Sequence, residues 1–325
     1  IGAGFACGGF CIQFGCDWVA FLYASIAAIL GMRLRQVCNE SGLNHYMGIA
    51  ISAFVATIIA WASTLLPAEW TSTPWHPLLA CALFIVPGVP LINFVDDMLD
   101  NYIQVGIVRA VNTLLMVAAM AFGIAFAVKL FHIENFFPTI SMVPHHQYWE
   151  YAIAAAISAM GFSMIFNIQR RLLWVVAIGG IIAVCTRNFV NLGPSTDNIG
   201  LDMGLVIGSF SGAVLVSLIA IKAVHWFHVP NHVLTIPSVI PMIPGVLMYR
   251  MLFGIININV QSIDQVTPLM KAIESGVNSG LVIMCIALGV AIPNIFGRRF
   301  IASSKNKRLA ELLKERKARG KFVEW

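Results

Sequence analysis

The chain has 325 residues, 59% of them hydrophobic and 11% charged, with a mean hydropathy of +0.83. Soluble domains carry about 25% charged residues, so this chain cannot cover a water-facing surface, and lipid must be its solvent. The net charge of +5 is concentrated at one end: residues 298–325 hold ten of the twenty Lys and Arg and carry +7, leaving −2 on the rest.

A membrane span needs roughly 20 mostly apolar residues. The pattern predicts ten, near 1–16, 18–33, 45–66, 75–95, 106–131, 150–168, 172–188, 199–223, 232–254 and 276–297. Residues 1–33 are divided at Gly15-Cys16-Asp17, because about 50 Å of unbroken helix exceeds a hydrocarbon core of roughly 30 Å. The chain opens on Ile1, which leads us to expect further residues upstream, and no signal-peptide pattern is present. A basic stretch directly after an apolar one reads as a cytoplasmic membrane-surface element. Nucleic-acid binding would interleave aromatics there, and the basic run 301–321 has none. With the C-terminus inside, the cytoplasmic loops hold Arg33, Arg35, Arg170, Arg171 and Lys222, and the outer ones Lys129, Arg187 and Lys271. That bias agrees with ten spans and puts the start of the chain inside too. The expected fold is therefore an all-α polytopic membrane protein in the cell (inner) membrane.

The two halves of the sequence resemble each other. Aligning 9–36 with 161–188 matches Gly9 with Gly161, Phe10 with Phe162, Phe14 with Phe166 and Arg35 with Arg187. VPGVPLINF at 86–94 and IPGVLMYRM at 243–251 share Pro-Gly-Val in the fourth span of each half. Five spans per half invert the second copy, which is the construction plan of many secondary transporters. The expected divisions are a first five-helix repeat at 1–131, an extracytoplasmic connector at 132–149, a second repeat at 150–297 and the basic tail at 298–325.

Proline removes a helix hydrogen bond, and in lipid a broken helix persists only where protein or a water-filled cavity satisfies the freed groups. The fourth span carries Pro87-Gly88-Val89-Pro90, and the ninth carries Pro237, Pro241, Pro244 and Gly245. Freed donors at a half-helix start favour a carboxylate, and freed carbonyls favour a cation. An amino-acid zwitterion needs both, so the two Pro-Gly breaks are the candidate substrate site; packing kinks are the plainer reading.

Ionisable groups at membrane depth are candidates for function. Asp96, Asp97 and Asp100 follow the first break. Clustered carboxylates raise one another's pKa, as proton coupling requires, whereas a solvated helix end requires nothing of them. Asp96 and Asp97 are preferred for coupling, with Arg109 as a charge partner. Arg187 either meets a substrate carboxylate or snorkels to the interface, and Arg250 raises the same choice. Asp17 sits at a predicted turn, where exposure and function are both open.

The seven cysteines lie mostly in apolar runs without CxxC and read as small core residues. His225, His228 and His232, and the pair His145-His146, suggest metal only loosely. No GxSxG, HExxH or P-loop pattern occurs, so no enzyme activity, cofactor or metal is expected. A channel would need a carbonyl or charged-ring filter, and none is found.

Together these residues resemble the threonine/serine exporter family over nearly the whole chain. The resemblance is carried by Phe14-Gly15-Cys16-Asp17-Trp18, by VPGVPLINFVDDMLDNYIQVGIVRA with Pro87, Gly88, Asn93, Asp96 or Asp97, Gly106 and Arg109, and by VPNHVLTIPSVIPMIPGVLMY ending at Pro244, Gly245 and Tyr249. It implies ten helices, a fused two-half form, and export of threonine or serine coupled to protons. Members usually carry a cytoplasmic domain before the first helix. Relatives split into two chains are linked to dicarboxylate export. Oligomers are compatible with this reading.

Overall fold

A computed structural model of the chain describes residues 1–67, 69–132, 146–193, 199–256 and 266–318. No strand occurs among the described residues. α1 (Gly2–Gln13) is apolar apart from Gln13 at its end and is almost wholly buried among other helices. It stops at the expected break. Gly15 takes φ 87°, and the Cys16 N–H returns to the Cys11 carbonyl at 3.2 Å, a left-handed helix stop that glycine makes without steric cost. Asp17 then caps α2 (Trp18–Glu40), its Oδ1 accepting the Ala20 N–H at 2.7 Å.

α3 (His45–Trp61) runs on into a 3₁₀ turn, Ala62–Leu65. α4 (Pro77–Ala80), a 3₁₀ turn at Leu83–Ile85 and α5 (Gly88–Leu99) fill the fourth predicted span, and α6 (Ile103–Leu130) the fifth. The second half follows as α7 (Tyr148–Ile165), α8 (Leu173–Asn191), α9 (Leu205–Phe227), α10 (Asn231–Val239), a 3₁₀ turn at Ile240–Met242, α11 (Gly245–Ile256) and α12 (Val266–Ala318). α12 passes residue 298 without a break, so the basic tail continues the last helix as far as Ala318. Most of the expected connector, 133–145, and the end of the tail, 319–325, lie outside the described residues.

Six helical segments are long and apolar enough to cross a membrane: Trp18–Glu40, His45–Leu65, Ile103–Leu130, Arg170–Asn191, Leu205–Val224 and Leu269–Gly297. α10 and α11, bent by 61° at their break, make a seventh if taken as one span. The expected count of ten is therefore met only in part by length and composition. The other three expected spans correspond to the short α1, the interrupted α4–α5, and α7, which opens on Tyr148-Trp149-Glu150. The protein is an all-helical, multi-pass membrane protein.

α5 packs against α12 and α6 against α11 across the two halves, and two further seams between them are built on glycines. Small residues let α1 and α7 approach closely. A Cβ on Gly9 would stand 2.6 Å from the Ala154 carbonyl oxygen and 2.8 Å from Ser158, and one on Gly161 would stand 2.3 Å from the Ala6 nitrogen and 2.7 Å from the Gly2 carbonyl oxygen. Ser158 donates to the Ala6 carbonyl at 3.2 Å, and Phe10 meets Phe162 edge-on at 5.7 Å. The second seam joins the two breaks. A Cβ on Gly88 would stand 2.9 Å from Ile243 and 3.3 Å from Ile240, and one on Gly245 would stand 2.7 Å from Leu83 and 3.1 Å from Val86.

Candidate functional site

The two breaks have the same backbone pattern. The Gly88 N–H returns to the Val86 carbonyl at 2.8 Å and the Leu91 N–H to Pro87 at 2.9 Å. The Gly245 N–H returns to Ile243 at 2.9 Å and the Met248 N–H to Pro244 at 3.2 Å. Pro87 has φ −77° and ψ 64°, the inverse γ-turn minimum. Both glycine N–H groups are thus spent within their own turns and are not offered to a ligand.

Between the breaks the packing is dry. Phe10, Phe162 and the aliphatic side chains of Leu83, Val86, Ile240 and Ile243 close around a void of about 10 Å³, near the lower limit for one water. Next to this seam, sharing Phe10 and Ile243 with it, lies a chamber of about 360 Å³. Its walls come from α1, α7, α8, the start of α9 and the segment 241–247.

The chamber's polar side chains come from three helices, α1, α7 and α8. Arg187, near the end of α8, donates from Nε and Nη2 to the Asn188 Oδ1 at 3.2 and 3.1 Å. This contact sets the plane of the guanidinium at the chamber wall. Asn188 is buried and Asn191 follows one turn on. Gln13, at the end of α1, is 9% exposed, and both its amide atoms are buried with no hydrogen-bond partner among the described residues. Tyr151 on α7 is 1% exposed, its ring 5.9 Å edge-on from His146, and its hydroxyl makes no hydrogen bond among the described residues. Pro244, Val246 and Leu247 complete the wall at the start of α11. Buried polar groups are nearly always satisfied by protein or water, so a shielded amide at a cavity wall marks a place for a polar partner, water or ligand. Arg187 is the one charged residue among the described residues lining this chamber, which gives it an anion-binding character.

The structure therefore joins Arg187 and Pro244 in one site and adds Gln13, Tyr151, Asn188 and Asn191, which the sequence reading did not single out. Gln13 carried a usable signal, a lone amide in an otherwise apolar helix. Gly88 and Gly245 line the seam beside the chamber, and Pro87 stands at the N-cap of α5. Asn93 lies half-buried on α5, and Tyr249 lies on α11 with its side chain outside the described residues.

Asp96, Asp97 and Arg109 do not line the chamber. They sit at the α5–α6 hairpin, where Asn101 takes φ 66° and the Tyr102 N–H returns to the Asp97 carbonyl at 2.8 Å. Arg109 Nη1 reaches Asp97 Oδ2 at 2.5 Å, both side chains partly exposed. Asp17 is a structural tie. Its Oδ2 accepts from the Thr71 hydroxyl at 2.8 Å and the Ser72 N–H at 2.7 Å, fixing the segment 71–73 to the α1–α2 turn. Burial tends to raise the pKa of this carboxyl, but the hydrogen bonds from Ala20, Thr71 and Ser72 outweigh burial and hold it below the ordinary value. No group of three metal-binding side chains occurs among the described residues, and His145 and the His225 side chain lie outside them.

Two family models match the chain. A threonine/serine exporter model covers residues 1–131, and the model described as "Threonine/Serine exporter, ThrE" covers 151–296. Curated relatives include the protein named "Probable succinate transporter subunit YjjP" from Klebsiella aerogenes, 30% identical over 132 residues, 41% of this chain and 51% of that protein. Its namesake from Escherichia coli K12 is 29% identical over the same shares. The alignment thus spans about half the length of these relatives. No solved structure matches the chain.

Proposed function

This chain belongs to the threonine/serine exporter family and is a multi-pass membrane exporter, and from that premise we propose that it exports small polar amino acids, threonine and serine, driven by the proton gradient. The observation that carries the reading is the chamber. It brings the Arg187 guanidinium, a buried amide and the start of α11 together directly beside a dry apolar seam. Arg187 takes the substrate carboxylate, and the seam of Phe10, Phe162 and the two breaks blocks passage until it opens.

In this reading the halves are inverted five-helix repeats that make ten spans in the inner membrane, with the basic tail in the cytoplasm. The reciprocal contacts support it: Gly88 lies 157 residues before Gly245, and their partners Val86 and Ile243 are separated by the same interval. Gly9 and Gly161 exchange partners in the same way at an interval of 152. A two-fold relation produces this pattern, in which i meets j and the counterpart of j meets the counterpart of i. Rocking one half on the other about such seams moves the barrier across a fixed site. Asp96 and Asp97, with Arg109, carry the coupling at the far end of α5.

A dicarboxylate is the second reading, favoured by Arg187 being the one charge among the described lining residues and by the name of the relatives, a probable succinate transporter subunit. The purified protein in liposomes, given an imposed pH gradient and labelled threonine, serine or succinate in separate runs, tests both. Uptake of neither amino acid, with uptake of labelled succinate, overturns the first reading and supports the second.

A further inference from the structure

We infer that Gln13 is the specificity-determining residue of the chamber, reading a second hydrogen-bonding group on a small carboxylate whose first carboxylate is held by Arg187. This rests on the reading of the chamber as the transport site. Three observations carry it. Gln13 lies at the chamber wall yet is 91% buried, and its Oε1 and Nε2 are both without partners among the described residues. The rest of α1 is apolar, with Phe10 and Phe14 beside Gln13 at the same wall, so no neighbour on its own helix supplies a partner side chain. Arg187 faces the same cavity from a different helix, so a ligand bound through one end presents its other end to α1.

A primary amide both donates and accepts. It therefore satisfies a hydroxyl, which also does both, or a second carboxyl group. It rejects an alkyl group of the same shape, because the amide would then stay buried without a partner. Sites built to hydrogen-bond a substrate group discriminate strongly against the analogue that lacks it, whereas apolar pockets discriminate weakly between isosteres. Threonine against valine and succinate against butyrate are the two pairs that differ by that group alone. A glutamate at position 13 separates the two sources: it still accepts from a hydroxyl but repels a second carboxylate.

The experiment is competition for uptake into proteoliposomes of the full chain, with valine against threonine and butyrate against succinate. It uses the wild type, Gln13→Leu and Gln13→Glu, each first checked for an unchanged elution profile and melting temperature. The wild type is expected to prefer the polar member of the transported pair by about tenfold or more. In Gln13→Leu the preference collapses towards one while some uptake persists. Gln13→Glu keeps the threonine preference if the substrate is a hydroxy amino acid, and loses succinate uptake if it is a dicarboxylate. An unchanged preference in a folded Gln13→Leu overturns the inference and leaves the transport reading standing. Uptake of neither threonine nor succinate by the wild type overturns that reading, and the inference with it. Should both variants fail to fold, Gln13→Asn replaces them; an amide drawn back by one carbon that leaves the preference unchanged also counts against the inference.

Discussion

Gly88 and Gly245 sit in each other's breaks: a methyl on Gly88 would stand 2.9 Å from Ile243 Cδ1, and one on Gly245 would stand 2.7 Å from Leu83 Cδ2. The seam beside the chamber is built on this relationship, and its tolerance can be measured. In both cases the obstructing atom is the end of a flexible side chain, so Gly88→Ala and Gly245→Ala are expected to cost little stability. Gly161→Ala would press on the Ala6 backbone nitrogen at 2.3 Å, which cannot rotate away. Overpacking of that kind costs about 1–3 kcal/mol. Thermal melts in detergent should rank Gly161→Ala clearly below the other two; equal melting temperatures would show that the seam between α1 and α7 yields as easily as the breaks do.

Arg187→Lys and Arg187→Gln are expected to cut transport roughly 10- to 100-fold, the span of losing a hydrogen bond to a charged group at about 1.5–3 kcal/mol. Lysine keeps the charge but not the fork held against Asn188, so both variants should fall. Substrate-dependent stabilisation in a thermal-shift assay should disappear with them, since a ligand raises stability only where it binds the folded state. Full activity in Arg187→Gln would remove this residue from the site.

The Arg109–Asp97 pair separates a structural role from a coupling role. A partly exposed ion pair is worth only about 0–1 kcal/mol, so Asp97→Asn should barely change the melting temperature. It should nevertheless abolish uptake driven by a pH gradient. Restoration of pH-driven uptake by the swap Asp97→Arg with Arg109→Asp would assign the pair to structure alone.

Asp17 predicts a pH dependence confined to acid. Its carboxyl lies below the ordinary 3.8 in the folded protein. The stabilisation is therefore fully present above about pH 4 and is lost as pH falls through the folded value. Asp17→Ala removes both the cap of α2 and the loop tie, at roughly 1 kcal/mol for the cap. The gap in melting temperature between wild type and variant should be open at pH 7 and narrow towards pH 3. A constant gap would contradict the charged-state account.

The ten-span topology is tested by labelling single cysteines with a membrane-impermeant maleimide in a background lacking reactive native thiols. Ser72→Cys, in the loop tied to Asp17, should label from outside. Gln169→Cys, between α7 and α8, should label only when the cytoplasmic face is opened. Labelling of both from the same side would exclude the inverted arrangement.

The sequence by itself determined the solvent, because composition is a sum over residues and needs no partner: a chain this apolar must lie in lipid. It also determined where the helices are interrupted, around Gly15, Pro87 and Pro244, because φ restrictions and a missing N–H are local properties. Tertiary structure decided everything that depends on which face meets which. Helices such as α1 are apolar, in its case apart from the terminal Gln13, so no amphipathic period marks the inward side, and close approach of glycines set it instead. Packing of α1 against α7, and of one break against the other, placed Gln13 and Arg187, distant in the sequence, at one cavity. The same packing left Asp97 and Arg109 at a separate hairpin. Gly15, the stop already legible in the sequence, ends α1 two residues after Gln13; what only the fold decided is that this point lies at a chamber wall.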